Sequence, residues 1–268
     1  MSGEPDPLYV RARAALLDTL DALEPHLDAL VLVGAQAIYL HTGAADLAVA
    51  EYTTDADFSV SPGELADTPL LGDLLTARGF LPREHPGGWI TPDGIYVDVM
   101  VPEALAGPGS RGARLGPHGK RAARRAKGLE GAAVDRERSI ITALDPSDDR
   151  AIEMWVAGPG ALLVAKTHKI AERVGAMDRV RDNDALDVLR LLRAVATEDL
   201  ARRLAVLRTS DVAGAVTVEA IALIPALFGD STAEGVLMAV RAAGDQEDPE
   251  TIAESMIALI ADLDGAKS

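Results

Sequence analysis

Thr53-Thr54-Asp55-Ala56-Asp57-Phe58-Ser59-Val60 is the stretch on which the fold turns. Ala56, Phe58 and Val60 alternate with polar residues, the period of a half-buried strand, so this segment is expected to be a β-strand with its apolar side on a core. Asp55 and Asp57 then project from the opposite face together, where they can share a metal ion or hold two adjacent ones; a solvated strand face is the plainer use of such a pair. Upstream, the apolar run Ala29-Leu30-Val31-Leu32-Val33 ends at Gly34 and leads into residues 35–41, which have a helical pattern. The implied order is strand, glycine, helix. Free backbone N–H groups and a helix dipole at such a junction suit phosphate oxygens, although glycine there is also ordinary turn chemistry. Residues 9–27, with Ala14, Leu17, Leu20 and Leu23 at helical spacing, read as an amphipathic helix covering one side of the sheet.

Working downstream, residues 69–78 read as a helix closed by Gly79. Trp89-Ile90 and residues 95–101 read as paired strands joined through Pro92-Asp93-Gly94, a turn-forming sequence. Asp98 lies within the second of these, an otherwise apolar strand. An ionised carboxylate is costly there unless something positive faces it. Residues 107–119, rich in Gly and Arg, read as a loop, and residues 139–144 and 151–156 as further strands. From Pro159 onward the pattern is helical, beginning with residues 160–174 and 184–195. The expected fold is therefore α/β, a mixed-sheet portion over residues 1–158 followed by a helical portion over residues 159–268. Three carboxylates, Asp55, Asp57 and Asp98, converging on a sheet suit two-metal nucleotidyl transfer, in which metals about 3.5–4 Å apart clamp the attacking and leaving oxygens.

The composition is consistent with that chemistry. The 268-residue chain has no cysteine, which removes disulfides, thiolate nucleophiles and thiolate zinc sites and leaves oxygen and imidazole as ligands. Carboxylates favour Mg2+ or Mn2+. No apolar run reaches the roughly 18 residues that would span a bilayer, and the opening MSGEPDPLYV has neither the basic region nor the apolar core of a signal peptide. The expectation is a cytoplasmic protein with no membrane partner. A net charge of -16 opposes nucleic-acid binding by default, but residues 104–129 contain no Asp or Glu while holding Arg111, Arg114, Lys120, Arg121, Arg124, Arg125 and Lys127. That window is a candidate nucleic-acid contact, with His118 beside it. The absence of Phe, Tyr and Trp from it argues against base-specific readout, and a solvated basic loop is the alternative.

In the helical portion, Lys166, Lys169 and Arg173 fall at i, i+3 and i+7, so one helix face presents three cations suited to a triphosphate or an RNA backbone. An exposed helix paired to acidic neighbours is the alternative. His168 reads as packing or hydrogen bonding. Asp184 and Asp187, one turn apart, can reach the same spot or stand as ordinary surface acids.

The order Val33-Gly34-Ala35, then Thr53-Thr54-Asp55-Ala56-Asp57, then a strand-borne Asp98, resembles the nucleotidyltransferase (polymerase-beta-like) superfamily. Lys166-Thr167-His168-Lys169-Ile170-Ala171-Glu172-Arg173, followed by Arg181-Asp182-Asn183-Asp184-Ala185-Leu186-Asp187, is similar to the helical motifs of the AbiEii-type toxin nucleotidyltransferases, including the mycobacterial MenT group. The resemblance spans roughly residues 29–193. It implies that Asp55 and Asp57 bind metal, that Lys166 or alternatively Lys169 contacts the triphosphate, and that Asp184 or Asp187 is the second acidic group. It places Gly34, Ala35 and Thr53 at the nucleotide. It also implies a nucleoside triphosphate as substrate, the 3′ end of transfer RNA as acceptor and a protein antitoxin as partner. Three positions depart from the family pattern: Ala35 stands where Gly or Ser is usual, Glu51 where many members have arginine, and Asn183 where a lysine often precedes the aspartate. The second departure removes a phosphate contact. A catalytically weak nucleotide-binding regulator, or transfer to a protein or small-molecule hydroxyl, would use the same core.

Overall fold

The computed structural model describes residues 5–43, 53–174 and 182–266. The chain opens with α1 (Pro7–Ala22), whose start is set by Asp6 accepting a hydrogen bond from the Leu8 amide at 2.7 Å and by Pro7 in the first turn. A short 3-10 turn (Glu24–Ala29) then delivers the chain to β1 (Leu30–Val33), all four residues of which are buried. Next come α2 (Gly34–Thr42), β2 (Asp55–Val60), α3 (Leu71–Ala77), β3 (Leu81–Pro82), β4 (Gly88–Ile90), β5 (Tyr96–Pro102), β6 (Arg124–Ala126), β7 (Arg136–Thr142) and β8 (Ala151–Ala157). Among the described residues six helices then make up the expected helical portion: α4 (Pro159–Ala171), α5 (Asn183–Ala194), α6 (Thr197–Arg208), α7 (Gly214–Phe228), α8 (Glu234–Ala243) and α9 (Pro249–Ala266).

The described strands form one mixed sheet in the order β3-β4-β5-β2-β1-β8-β7, with β6 added alongside β5. β2 sits centrally, antiparallel to β1 and parallel to β5. Its alternation holds: Ala56, Phe58 and Val60 are buried while Asp55 and Asp57 are only partly so. A slip of one residue would turn both aspartates into the core, so burial of Phe58 and its neighbours fixes the register that presents them.

One continuous buried apolar cluster runs from Tyr9 to Leu263, through the sheet and the helices alike. The change at Gly158 is thus a change in element type within a shared core. α2 is the joint, since it touches β1 and β2 on one side and α4 and α5 on the other. Among the described residues no helix is long and apolar enough to cross a membrane. Two short strands, β3 and β6, are additions to the sequence-based expectation, and the helix expected over residues 9–27 ends at Ala22 with a 3-10 turn beyond it.

Candidate active site

The three aspartates share one cleft of about 520 Å³. Parallel pairing of β2 with β5 sets Asp57 directly beside Asp98 and Asp55 beside Tyr96, so all four side chains issue from one face of the sheet. Val33, paired with Asp57, ends β1 at the same level, and Gly34 turns the chain away into α2. Gly34 has a φ of 73°, and a Cβ on it would lie 2.3 Å from Asp57 Oδ2. Only glycine lets the turn approach the carboxylate this closely.

A buried polar network braces the start of β2. Gln36 donates to the backbone oxygens of Asp55 and Ala12, both at 3.0 Å, and accepts from Arg13 Nε at 2.9 Å. Thr53 is buried and donates to Asp55 Oδ1 at 2.7 Å, so it orients that carboxylate from behind. Ala35, expected at the nucleotide, instead packs against the hydrophobic core and is not on the cleft wall.

Burial, then the neighbouring Asp55 and to a lesser extent Asp98, push the Asp57 carboxyl up to about 7, against the pull of Lys169 and Arg124. Asp98 does have the positive surroundings its strand position required, with Arg124 Nη2 3.3 Å from Oδ2 and Arg83 Nη1 4.0 Å from Oδ1; the His85 ring, Nε2 also 4.0 Å from Oδ1, stands beside them. Its Oδ1 is buried and has no hydrogen-bond partner. Among the described residues no three Asp, Glu or His side chains form a ready-made metal cage, and Asp98 is engaged by Arg124. The donor set nonetheless fits Mg2+ or Mn2+: hard carboxylate oxygens, one carboxyl that resists ionising without added positive charge, and one orphaned oxygen.

On the opposite wall the helical residues are tied to one another. Lys166 touches the cleft but is 5 % exposed, and its ammonium is held by Asp184 Oδ1 at 2.6 Å and Asp187 Oδ2 at 2.7 Å. Asp184 and Asp187 are buried and do not line the cleft; they are neither surface acids nor ligands facing the carboxylate floor. Burial opposes ionisation of Asp184, but Lys166, Lys169 and Arg173 outweigh it and hold its carboxyl well below the ordinary range. Burial pushes the Asp187 carboxyl up, with Lys166 as the main restraint. Lys169 is the more exposed cation of this wall: its side chain is 38 % exposed, anchored to Asp184 at 2.9 Å and close enough to act on Asp57. Arg173 also pairs with Asp184. His168 is buried against the Val216 carbonyl at 2.8 Å, the packing role expected of it.

The basic window divides. Arg124, Arg125 and Lys127 line the cleft, whereas Arg111, Arg114, Lys120 and Arg121 lie exposed outside it, because the loop folds back and only its last turn joins the sheet as β6. Arg121 donates to the carbonyls of Arg83 and Glu84 at 3.0 and 3.2 Å. His118 is tied to the start of α3, with Nδ1 accepting from the Leu71 amide and Nε2 bonded to the Ala66 carbonyl. Glu51 and Arg181 lie outside the described residues. Nothing in their spacing marks Arg83, His85 and Tyr96, and only the pairing of β3 and β4 onto β5 brings Arg83 and His85 over Asp98. In comparisons with known proteins the chain matches no protein-family model and no curated protein, so its function has to be argued from this cleft.

Proposed function

We propose that the chain is a metal-dependent nucleotidyltransferase, moving a nucleoside monophosphate from a nucleoside triphosphate to an acceptor hydroxyl. The observation that carries this reading is the pairing of Asp57 with Asp98 across β2 and β5, one step from Asp55, on the floor of a cleft with cationic walls. Such a floor draws divalent cations, and such walls draw an anionic substrate. Asp55 and Asp57 would hold Mg2+ or Mn2+, with Asp98 as third ligand or as proton acceptor; the bound ion supplies charge neutralisation and Lewis acidity at the phosphates.

The remaining work falls to the chain itself. Lys169, held by Asp184, and Arg124, held by Asp98, present positive charge from opposite sides of the cleft to the triphosphate. The acceptor hydroxyl oxygen attacks the α-phosphorus, the bond from that phosphorus to the bridging oxygen breaks, and pyrophosphate leaves. The hydroxyl proton passes to Asp98 Oδ1, the carboxylate oxygen that accepts no hydrogen bond within the protein. Lys166 acts at one remove, by fixing Asp184 and through it Lys169.

The acceptor we propose is RNA, at the 3′ end of transfer RNA, with a protein antitoxin as partner. In support, Arg111, Arg114, Lys120 and Arg121 are exposed on the loop that leads directly into Arg124 and Arg125 of the cleft. The deciding experiment incubates the protein with each α-labelled nucleoside triphosphate, Mg2+ or Mn2+, and total transfer RNA, beside Asp55→Ala and Asp57→Ala. Label on RNA that disappears in both variants is expected. Label on protein would replace the acceptor, and nucleotide binding without transfer to anything would replace the enzyme by a regulator.

A further inference from the structure

Tyr96 is the only exposed Phe, Tyr or Trp among the described residues, with 45 % of its surface accessible, and it stands in the cleft. Its position in the register is beside Asp55 and two residues before Asp98, on the same face of the sheet as both. The Arg83 guanidinium carbon lies 4.0 Å from the centre of its ring, a stacked contact. Arg83 is preset from its backbone: its amide donates to Gly88 O at 2.8 Å, and its own carbonyl accepts from Arg121.

An exposed ring with a guanidinium stacked on it, next to three carboxylates, has no evident use in holding the fold. It matches the way planar bases are held, by stacking on aromatic rings and on arginine planes. We infer that Tyr96 and Arg83 form a stacking platform for a nucleobase, belonging either to the incoming triphosphate or to the terminal nucleotide of the acceptor. This inference rests on the nucleotidyltransferase reading and names the part of the cleft that would hold the base.

The test is equilibrium binding to the full chain with Mg2+, using three kinds of probe: each α,β-methylene nucleoside triphosphate, inorganic tripolyphosphate, and a short oligoribonucleotide with a free 3′ hydroxyl. Tyr96→Ala should weaken a base-containing probe by about 5- to 150-fold, the range found for loss of one stacked base, and leave tripolyphosphate unchanged. Weakening of the triphosphates assigns the platform to the incoming base, and weakening of the oligoribonucleotide assigns it to the acceptor. Tyr96→Phe should bind like the wild type, since the ring is kept. Thermal melting of both variants should match the wild type. The inference is overturned if Tyr96→Ala leaves every probe unaffected, if it weakens tripolyphosphate as much as the nucleotides, or if Phe fails as badly as Ala. A wild type that binds the triphosphates no better than tripolyphosphate, with oligoribonucleotide binding unchanged in Tyr96→Ala, overturns the platform alone; a wild type that binds none of the probes overturns the nucleotidyltransferase reading with it.

Discussion

Lys166→Met tests whether Lys166 is a structural member of the second wall or a phosphate contact. The ammonium it removes is buried and shared by Asp184 at 2.6 Å and Asp187 at 2.7 Å. Asp184 would keep Lys169 and Arg173. Asp187 would lose its ion-pair partner while staying buried, and its carboxyl already resists ionisation with Lys166 in place. Breaking a buried pair from one side costs about 3–5 kcal/mol, because a charge or a forced protonation is left behind. At about 2–4 °C per kcal/mol for a chain of this size class, the melting temperature should fall by roughly 6–20 °C. Removing the orphan as well, in Lys166→Met with Asp187→Leu, should recover most of the loss, since an apolar pair of similar volume is about neutral relative to the buried ion pair. Thermal and urea unfolding of the four members of this cycle, without metal or nucleotide, would measure both terms. A Lys166→Met cost under about 1 kcal/mol, with no rescue by the second change, would refute the reasoning. It would mean that the ammonium is not committed to the aspartates and is free to serve the substrate.

Lys169→Ala should behave in the opposite way, leaving the melting temperature within about 2 °C while weakening tripolyphosphate binding by roughly tenfold, since it removes one exposed cation from the wall; equal loss of stability in both lysine variants would contradict the division of roles. Gly34→Ala forces a side chain into a left-handed backbone and onto Asp57, so it should cost about 1–2 kcal/mol from the backbone alone and depress Mg2+ affinity, both readable by melting with and without Mg2+. Asp57 supplies a pH signature. Its folded carboxyl titrates at about 7 against an unfolded value of about 4, so the folded state binds the extra proton and metal-free stability should fall as pH rises between those values. Asp57→Asn should flatten that fall, added Mg2+ should offset it at the upper end, and Mg2+ affinity should weaken below pH 7 as protons compete for the carboxylate; a wild type and Asp57→Asn with parallel stability curves would argue against the shifted carboxyl.

Legibility in the sequence followed the strength of local pattern. Asp55 to Val60 alternates cleanly and is bounded by turn residues, so its strand and the facing of its two aspartates were readable from the chain alone. Asp98 stood out because burying an acid in an apolar strand demands a counter-charge, and Arg124 duly faces it. β6 was hidden because Arg124-Arg125-Ala126 has no strand character of its own; it is a strand because the edge of β5 beyond Val99 offers it hydrogen bonds. The cation face of α4 was half legible. Helical spacing put Lys166 and Lys169 on one side, but only the packing of α5 decides that Lys166 is enclosed while Lys169 remains open. Arg83 and His85 carried no signal, since a turn residue reaches a distant carboxylate only through sheet pairing.

One edge of β5 is shared between two partners, β4 alongside Tyr96 to Asp98 and β6 alongside Met100 to Pro102, with Gly87 wedged at the changeover, where its carbonyl accepts from the Val99 amide at 2.8 Å. A Cβ on Gly87 would lie 2.1 Å from the Val99 oxygen and 2.6 Å from the Arg124 nitrogen, so the seam admits no side chain. The cleft rim on that side is therefore assembled from two pieces, the β3–β4 turn and the loop before β6, tied to each other where Arg121 donates to the Arg83 and Glu84 carbonyls and its own carbonyl accepts from the Gly87 amide. A change in either piece is thus felt by the other, and both reach Asp98, through Arg83 from the turn and Arg124 from β6. The carboxylate floor, by contrast, is clamped by hydrogen bonds on both sides of β2 and does not depend on this seam.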